Sequence, residues 1–138
     1  MSMTISDLHA FLKDAFPQVA DDFAIEDMTQ DTMRVRLRVT DKHLRPGGTV
    51  SGPSIFALAD VGLYLMILSR LGPVALAVTT NCSVDFMRKP KAATDLIADT
   101  RLLKLGRVLA VGDVLIRSEG DEKPVARASL TYSIPPNG

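Results

Sequence analysis

One cysteine, Cys82, stands among 138 residues. A lone thiol excludes an intrachain disulfide and leaves no cysteine-based zinc set. Histidine is nearly as scarce: His9 and His43 are the only two, too few for a histidine-rich metal centre. Neither sign of charge is in excess, because 16 basic residues meet 16 acidic ones. Nothing therefore draws the whole molecule to nucleic acid or to an anionic membrane, and a polyanion would have to be met by a local cluster. The opening residues, Met1 to Asp7, lack both a basic n-region and a continuous apolar h-region. No signal peptide is expected, and the compartment implied is cytoplasmic. Repeats and low-complexity linkers are missing too, and the length suits one domain, 1–138, that buries its core without metal or disulfide.

What the chain does have is a glycine-rich turn, Gly47-Gly48 and then Gly52-Pro53, running into an apolar stretch that Gly72-Pro73 stops. The pattern predicts a helix over about 53–70, with Pro53 suited to its first turn. From Ile55 to Leu68 the only ionisable groups are Asp60 and the phenol of Tyr64. Apolar residues fall on every side of this helix, so it belongs inside something. Its apolar core of about fourteen residues falls short of the roughly 18–20 that cross a bilayer, which points to a protein core. Asp60 is the residue out of place there. Either its side chain escapes to solvent or caps a turn, or it is a carboxylate aimed into a dry site, where it could serve as general base or nucleophile.

Around this helix the periodicity changes. Ile5, Leu8, Phe11, Leu12, Ala15 and Phe16 recur at helical spacing, predicting a lid or packing helix over about 4–16 that Pro17 ends. A short strand is expected at 23–28. Residues 32–40 alternate, with Met33, Val35, Leu37 and Val39 on one face and Arg34, Arg36 and Arg38 on the other. No aromatics are interleaved with those arginines, so a solvated face explains them better than a nucleic-acid site. Further strands are expected at 75–87, 95–104, 108–118 and 124–133, the middle two joined by the hairpin signal Leu105-Gly106-Arg107. Taken as a meander of four strands, they give an α+β fold, a curved antiparallel sheet wrapped around one central helix.

Two runs carry a family likeness: Arg45-Pro46-Gly47-Gly48-Thr49-Val50-Ser51-Gly52-Pro53-Ser54-Ile55-Phe56-Ala57-Leu58-Ala59-Asp60, and Thr79 to Pro90 with its Phe86-Met87-Arg88-Lys89-Pro90 end. Together with Lys104-Leu105-Gly106-Arg107 they resemble the hotdog-fold acyl-CoA thioesterases, specifically the phenylacetate-type (PaaI-like) group. The likeness spans about Met33 to Ser133. Where that family has Asn this chain has Arg45, and where it has His-Gly-Gly this chain has Ser51-Gly52-Pro53. The resemblance implies hydrolysis of an acyl-CoA thioester with no cofactor beyond the coenzyme A of the substrate. A non-catalytic acyl-CoA-binding module of the same fold, sensor or scaffold, is the alternative, and a hydratase or dehydratase of that fold would want a histidine that this helix lacks.

The residues fit the first activity as follows. Asp60 would activate water or attack the carbonyl, and the amide of Gly52 or a neighbour at the helix start would stabilise the oxyanion. Eight residues separate the two, about 12 Å along a helix. One carbonyl cannot meet both in one subunit, whereas two central helices running antiparallel across an interface would bring them together. A homodimer with composite sites is expected, with a dimer of dimers as an extension. Tyr64, four residues after Asp60, could orient the carboxylate, line the acyl pocket or simply pack in the core. Phe56 and Leu63 are candidates for the acyl pocket. Asn81 and Thr79 are expected on one strand face, which looks either towards the site or, as strand polar residues more often do, to water, and Ser51 is either a hydrogen-bond donor at the site or a turn residue. Arg88, Lys89, Lys91, Lys104 and Arg107 could meet the coenzyme A phosphates or be solvated loop charges.

Overall fold

The structure is a computed structural model that describes residues 2–74 and 76–136. It opens with α1 (Ile5–Ala15), whose start is fixed by a reciprocal cap: Thr4 Oγ1 accepts the Asp7 N–H at 3.1 Å, and Asp7 Oδ2 accepts the Thr4 N–H at 3.0 Å. Leu8 and Leu12 bury its inner face. His9 Nε2 accepts the backbone N–H of Ile25 at 3.1 Å, tying α1 to the first strand.

Six strands follow in one antiparallel sheet: β1 (Phe23–Met28), β2 (Thr32–Leu37), β3 (Val78–Phe86), β4 (Leu96–Leu105), β5 (Leu109–Ser118) and β6 (Ala126–Ser133). Their spatial order is β1-β2-β4-β5-β6-β3. The meander is therefore only three strands long, β4-β5-β6. The strand after the central helix does not join β4 but crosses to the far edge and pairs with β6. The connection after Phe86 explains this, because Pro90 and the turn residues around it end the strand instead of folding it back into a tight hairpin. The strand is also shorter than expected, and Ala75 lies outside the described residues.

The helix α2 (Gly52–Leu71) crosses the concave face of the sheet. At 20 residues it is long and apolar enough to cross a membrane, so length does not exclude that reading. Packing decides instead: residues 62 to 69 are continuously buried, against β2, β4, β5 and β6. The architecture is the hotdog arrangement, a sheet curled around one apolar helix. Arginines of β2 face outward into ion pairs, Arg34 with Asp99 at 2.8 Å and Arg36 with Glu26, Asp95 and Glu119. The row serves the sheet's own acids, each exposed pair contributing under about 1 kcal/mol.

Helix and sheet touch most closely where a side chain is missing. A Cβ on Gly112 would lie 2.5 Å from Leu63 Cδ1 and 2.9 Å from the Arg101 carbonyl oxygen, and one on Gly62 would lie 2.6 Å from Thr100 Oγ1. Gly112→Val should lower stability by about 1–3 kcal/mol through overpacking, read as a fall in urea midpoint at unchanged m-value. An unchanged midpoint would mean the helix can move off the sheet without cost.

Candidate active site

Asp60 sits half-buried on α2, facing the β3–β6 edge of the sheet. Its Oδ1 accepts two hydroxyls, Thr79 Oγ1 at 2.5 Å and Tyr132 OH at 2.7 Å. The Tyr132 hydroxyl also lies 3.1 Å from the Asp60 backbone carbonyl. Among the described residues Oδ2 has no hydrogen-bond partner. The carboxylate is thus neither a solvent-directed stray nor a cap. Burial first, and the charge of Asp60 second, push the Tyr132 phenol well above its ordinary range, so it remains a donor at any working pH. The Cys82 thiol is pushed up by burial and by the same carboxylate, so it is no thiolate nucleophile.

Beside Asp60 lies an open cleft of about 450 Å³, walled by Leu12, Phe16 and Val19 from the N-terminal segment, Tyr64 from α2, and Val78 and Tyr132 from the sheet edge. Its lining is mostly apolar. The Tyr64 ring stacks near Tyr132, centroids 6.0 Å apart, and takes the edge of Phe16 at 5.8 Å and 84°. Tyr64 is therefore a cleft wall as well as a core residue. Of the two residues expected at the acyl pocket, Phe56 is exposed and does not line this cleft, and Leu63 is fully buried against the sheet.

At the other end, the Gly47-Gly48 turn uses backbone with φ of 102° and 83°, conformations only glycine adopts freely. It closes a small loop in which the Arg45 N–H meets the Thr49 carbonyl at 2.9 Å. The loop delivers Ser51 as N-cap of α2: its Oγ accepts the Ser54 N–H at 3.3 Å and its carbonyl accepts the Ile55 N–H at 3.1 Å. Pro53 has no N–H. Among the described residues the Gly52 amide is consequently the one first-turn donor left without an acceptor, at the positive end of a 20-residue helix. Arg45 is exposed on the loop that precedes the helix.

The remaining expected site residues divide between the two ends. Val78 pairs with Ser133, which pairs with Leu109, so Arg107 in the β4–β5 turn stands at the Asp60 end of the sheet. Arg88 and Lys89 follow Phe86 at the opposite end, where the Phe86 ring lies 3.6 Å from a Cβ built on Gly52, and Arg88 donates to the Pro124 carbonyl at 2.9 Å. Asn81 does not share a face with Thr79. A bulge between them shifts the register, so Thr79, Cys82 and Val84 turn inward while Asn81 is exposed. No Ser-His-acid triad forms at His43, whose Nδ1 accepts the Thr40 N–H at 2.9 Å and whose Nε2 faces Asp22. Among the described residues no cluster of His, Cys, Asp and Glu could hold a metal ion.

A family model, the thioesterase superfamily, matches residues 47–125. The chain belongs to the thioesterase superfamily. That match takes in Gly52, Asp60 and Thr79, the groups just described, and stops short of Tyr132. A "putative esterase" of Pseudomonas aeruginosa is 37% identical over 110 residues, 77% of this chain and 80% of that protein. Among solved structures, a "putative thioesterase" from Silicibacter sp. TM1040 is 57% identical, with a TM-score of 0.91 over 97% of this chain and 93% of that one. A point mutant of the phenylacetic acid degradation protein PaaI from Thermus thermophilus is 27% identical, with a TM-score of 0.73 over 86% of this chain and 99% of that one. Superfamily membership and these relatives support an acyl-thioester hydrolase, and the PaaI-like likeness read from the sequence holds.

Tyr132 and the N-terminal cleft wall are not among the residues the sequence singles out. A signal for Tyr132 is present all the same: it falls in register with the inward Ala126, Ala128 and Leu130, and a buried phenol needs a polar partner. Phe16 and Val19 give none, since only the tertiary fold brings them over Asp60.

Proposed function

We propose that the protein hydrolyses acyl-CoA thioesters at two composite sites in a homodimer, with Asp60 of one subunit and the Gly52 amide of the other. The observation that carries this reading is the pair of unmet groups, a carboxylate oxygen beside an apolar cleft and a helix-start amide, both in one superfamily match. Oδ2 of Asp60 takes a proton from water, and the hydroxide adds to the thioester carbonyl. The oxyanion is held by the Gly52 N–H of the partner subunit. Collapse breaks the C–S bond, and the coenzyme A thiolate recovers the proton from Oδ2. Direct attack by Oδ2 through a mixed anhydride begins from the same oxygen.

The second copy is supported by what the β3 edge exposes. Val78 and Phe86 are 55% and 57% exposed, Met87 and Phe56 are exposed near them, and among the described residues the outer edge of β3 carries no strand. An apolar edge of this kind invites another strand. Antiparallel pairing of two β3 strands about a two-fold axis at Ser83 keeps the inward Cys82 opposite the inward Val84 of the partner subunit and sets the bulge at Thr79 and Thr80 opposite Phe86 of the partner subunit. Because Thr79 marks the Asp60 end and Phe86 the Gly52 end, the same operation brings the two unmet groups together. Arg88 and Lys89 of the partner subunit then join Arg107 at the mouth, where coenzyme A phosphates would lie. Sedimentation should give a dimer or a dimer of dimers at micromolar concentration, and a folded monomer would remove the composite site.

Thiol release from a panel of short, long and aromatic acyl-CoA esters tests the activity. The acyl group is expected in the cleft under α1, away from the cations, and Phe16→Ala should shift preference towards longer acyl chains by about 10-fold per pair of esters compared. Tight binding of the esters without turnover would favour the alternative, an acyl-CoA-binding module, for which the Ser51 side chain spent on capping already speaks.

A further inference from the structure

Both hydroxyls that reach Asp60 bind the same oxygen, and they come from adjacent strands that the register sets side by side. Thr79 of β3 pairs directly with Tyr132 of β6, and their donors lie 2.5 Å and 2.7 Å from Oδ1. Tyr132 is 3% exposed, so its hydroxyl has little solvent to turn to if it loses its acceptor. It has a second acceptor, the Asp60 backbone carbonyl at 3.1 Å. One hydroxyl hydrogen therefore has two places to go, both on the same residue.

We propose that Tyr132 and Thr79 are positioning residues that clamp Asp60 through Oδ1, leaving Oδ2 as the single reacting oxygen. When the carboxylate is ionised, the Tyr132 hydrogen bonds to Oδ1, as a charged acceptor is the stronger one. When Oδ2 takes a proton from water, the charge is lost, Oδ1 weakens as an acceptor, and the Tyr132 hydrogen swings to the backbone carbonyl. The buried phenol is satisfied in both states, so the proton's arrival leaves no orphaned polar group. Thr79 holds the plane of the carboxylate while this happens. The bulge beside Thr79 serves the same end: it turns Thr79 inward while directing its neighbour Asn81 out.

This proposal rests on Asp60 being the reacting acid, and its test separates the two. In the full-length protein, Tyr132→Phe removes one donor and keeps the ring, and Thr79→Val removes the other and keeps the branched shape. Each should lower kcat by about 10- to 100-fold, the scale on which small misplacement of a reacting group acts, with KM within about 2-fold of wild type. Thr79→Ser, which keeps the hydroxyl, should restore kcat to within about 3-fold. A rise in KM at unchanged kcat would make Tyr132 a cleft wall only and would overturn the clamp, as would a Thr79→Ser variant no better than Thr79→Val. Isotope-edited infrared spectra of the Asp60 carboxylate give a readout independent of turnover. The splitting of its two C–O stretches should change in Tyr132→Phe, and an unchanged splitting sinks the clamp. If Asp60→Asn hydrolyses esters at the wild-type rate while the splitting does change, the clamp exists and the catalytic reading of Asp60 is what fails.

Discussion

Asp60→Asn should abolish most of the hydrolysis, lowering kcat by about 10²- to 10⁴-fold, the usual contribution of a general base. The substitution is well suited to the question because the site can accept it. An amide oxygen at the Oδ1 position still receives the Thr79 and Tyr132 hydroxyls, now 2.5 Å and 2.7 Å away. The amide nitrogen then falls at Oδ2, where it can neither take a proton from water nor attack a carbonyl. Half-burial of the carboxylate means that its neutral replacement removes a desolvation cost as well as a charge, so the fold should survive. The expected pattern is a collapse of thiol release at unaltered thermal midpoint and unaltered binding of a non-hydrolysable thioether analogue. Equal turnover by the two proteins would falsify any mechanism through this residue.

Why the same residue can be singled out from sequence, and Tyr132 cannot, follows from the range over which each signal acts. Asp60 stands alone among apolar residues in a stretch where every neighbour is within one turn, so the conflict is written locally. The same locality makes α1 readable, with Thr4 and Pro17 at its ends, and α2, with Pro53 and Gly72 at its ends, although the capping role of Ser51 is not. Strands β4 to β6 are readable because Gly106 and the 119–122 turn mark hairpins. The place of β3 is not, because nothing in residues 78–86 says which edge they join; that is set by the chain's exit through Pro90 and by the open edge of β6. The face of Asn81 fails for a related reason. Alternation predicts faces only while the register is kept, and a bulge after Thr79 breaks it without a glycine or proline to announce it. The acyl cleft is the clearest case: Phe16 and Val19 lie over forty residues from Asp60 in the chain, and their meeting with Tyr64 is a property of the packed molecule.

The opposite end of the proposed site makes an equally sharp prediction, through a substitution that removes a single hydrogen-bond donor. Gly52→Pro should lower kcat by about 10²- to 10³-fold, the loss that follows removal of one oxyanion donor, while Gly52→Ala stays near wild type. The helix has no use for the Gly52 N–H, because a first-turn amide has no acceptor within the helix, and proline is favoured at that position. Ser51 already holds φ −72° and ψ 154°, the extended backbone that a residue before proline prefers. Space is available as well: an added Cβ lies 3.6 Å from the Phe86 ring, an ordinary contact. The alanine variant therefore controls for bulk, and the difference between the two variants isolates the amide. Neighbouring amides are poor substitutes. Ser54 and Ile55 are held by Ser51, at 3.3 Å and 3.1 Å, and Pro53 has none. Full activity in Gly52→Pro would place the oxyanion on some other donor and would leave the antiparallel juxtaposition of two α2 helices without a catalytic reason.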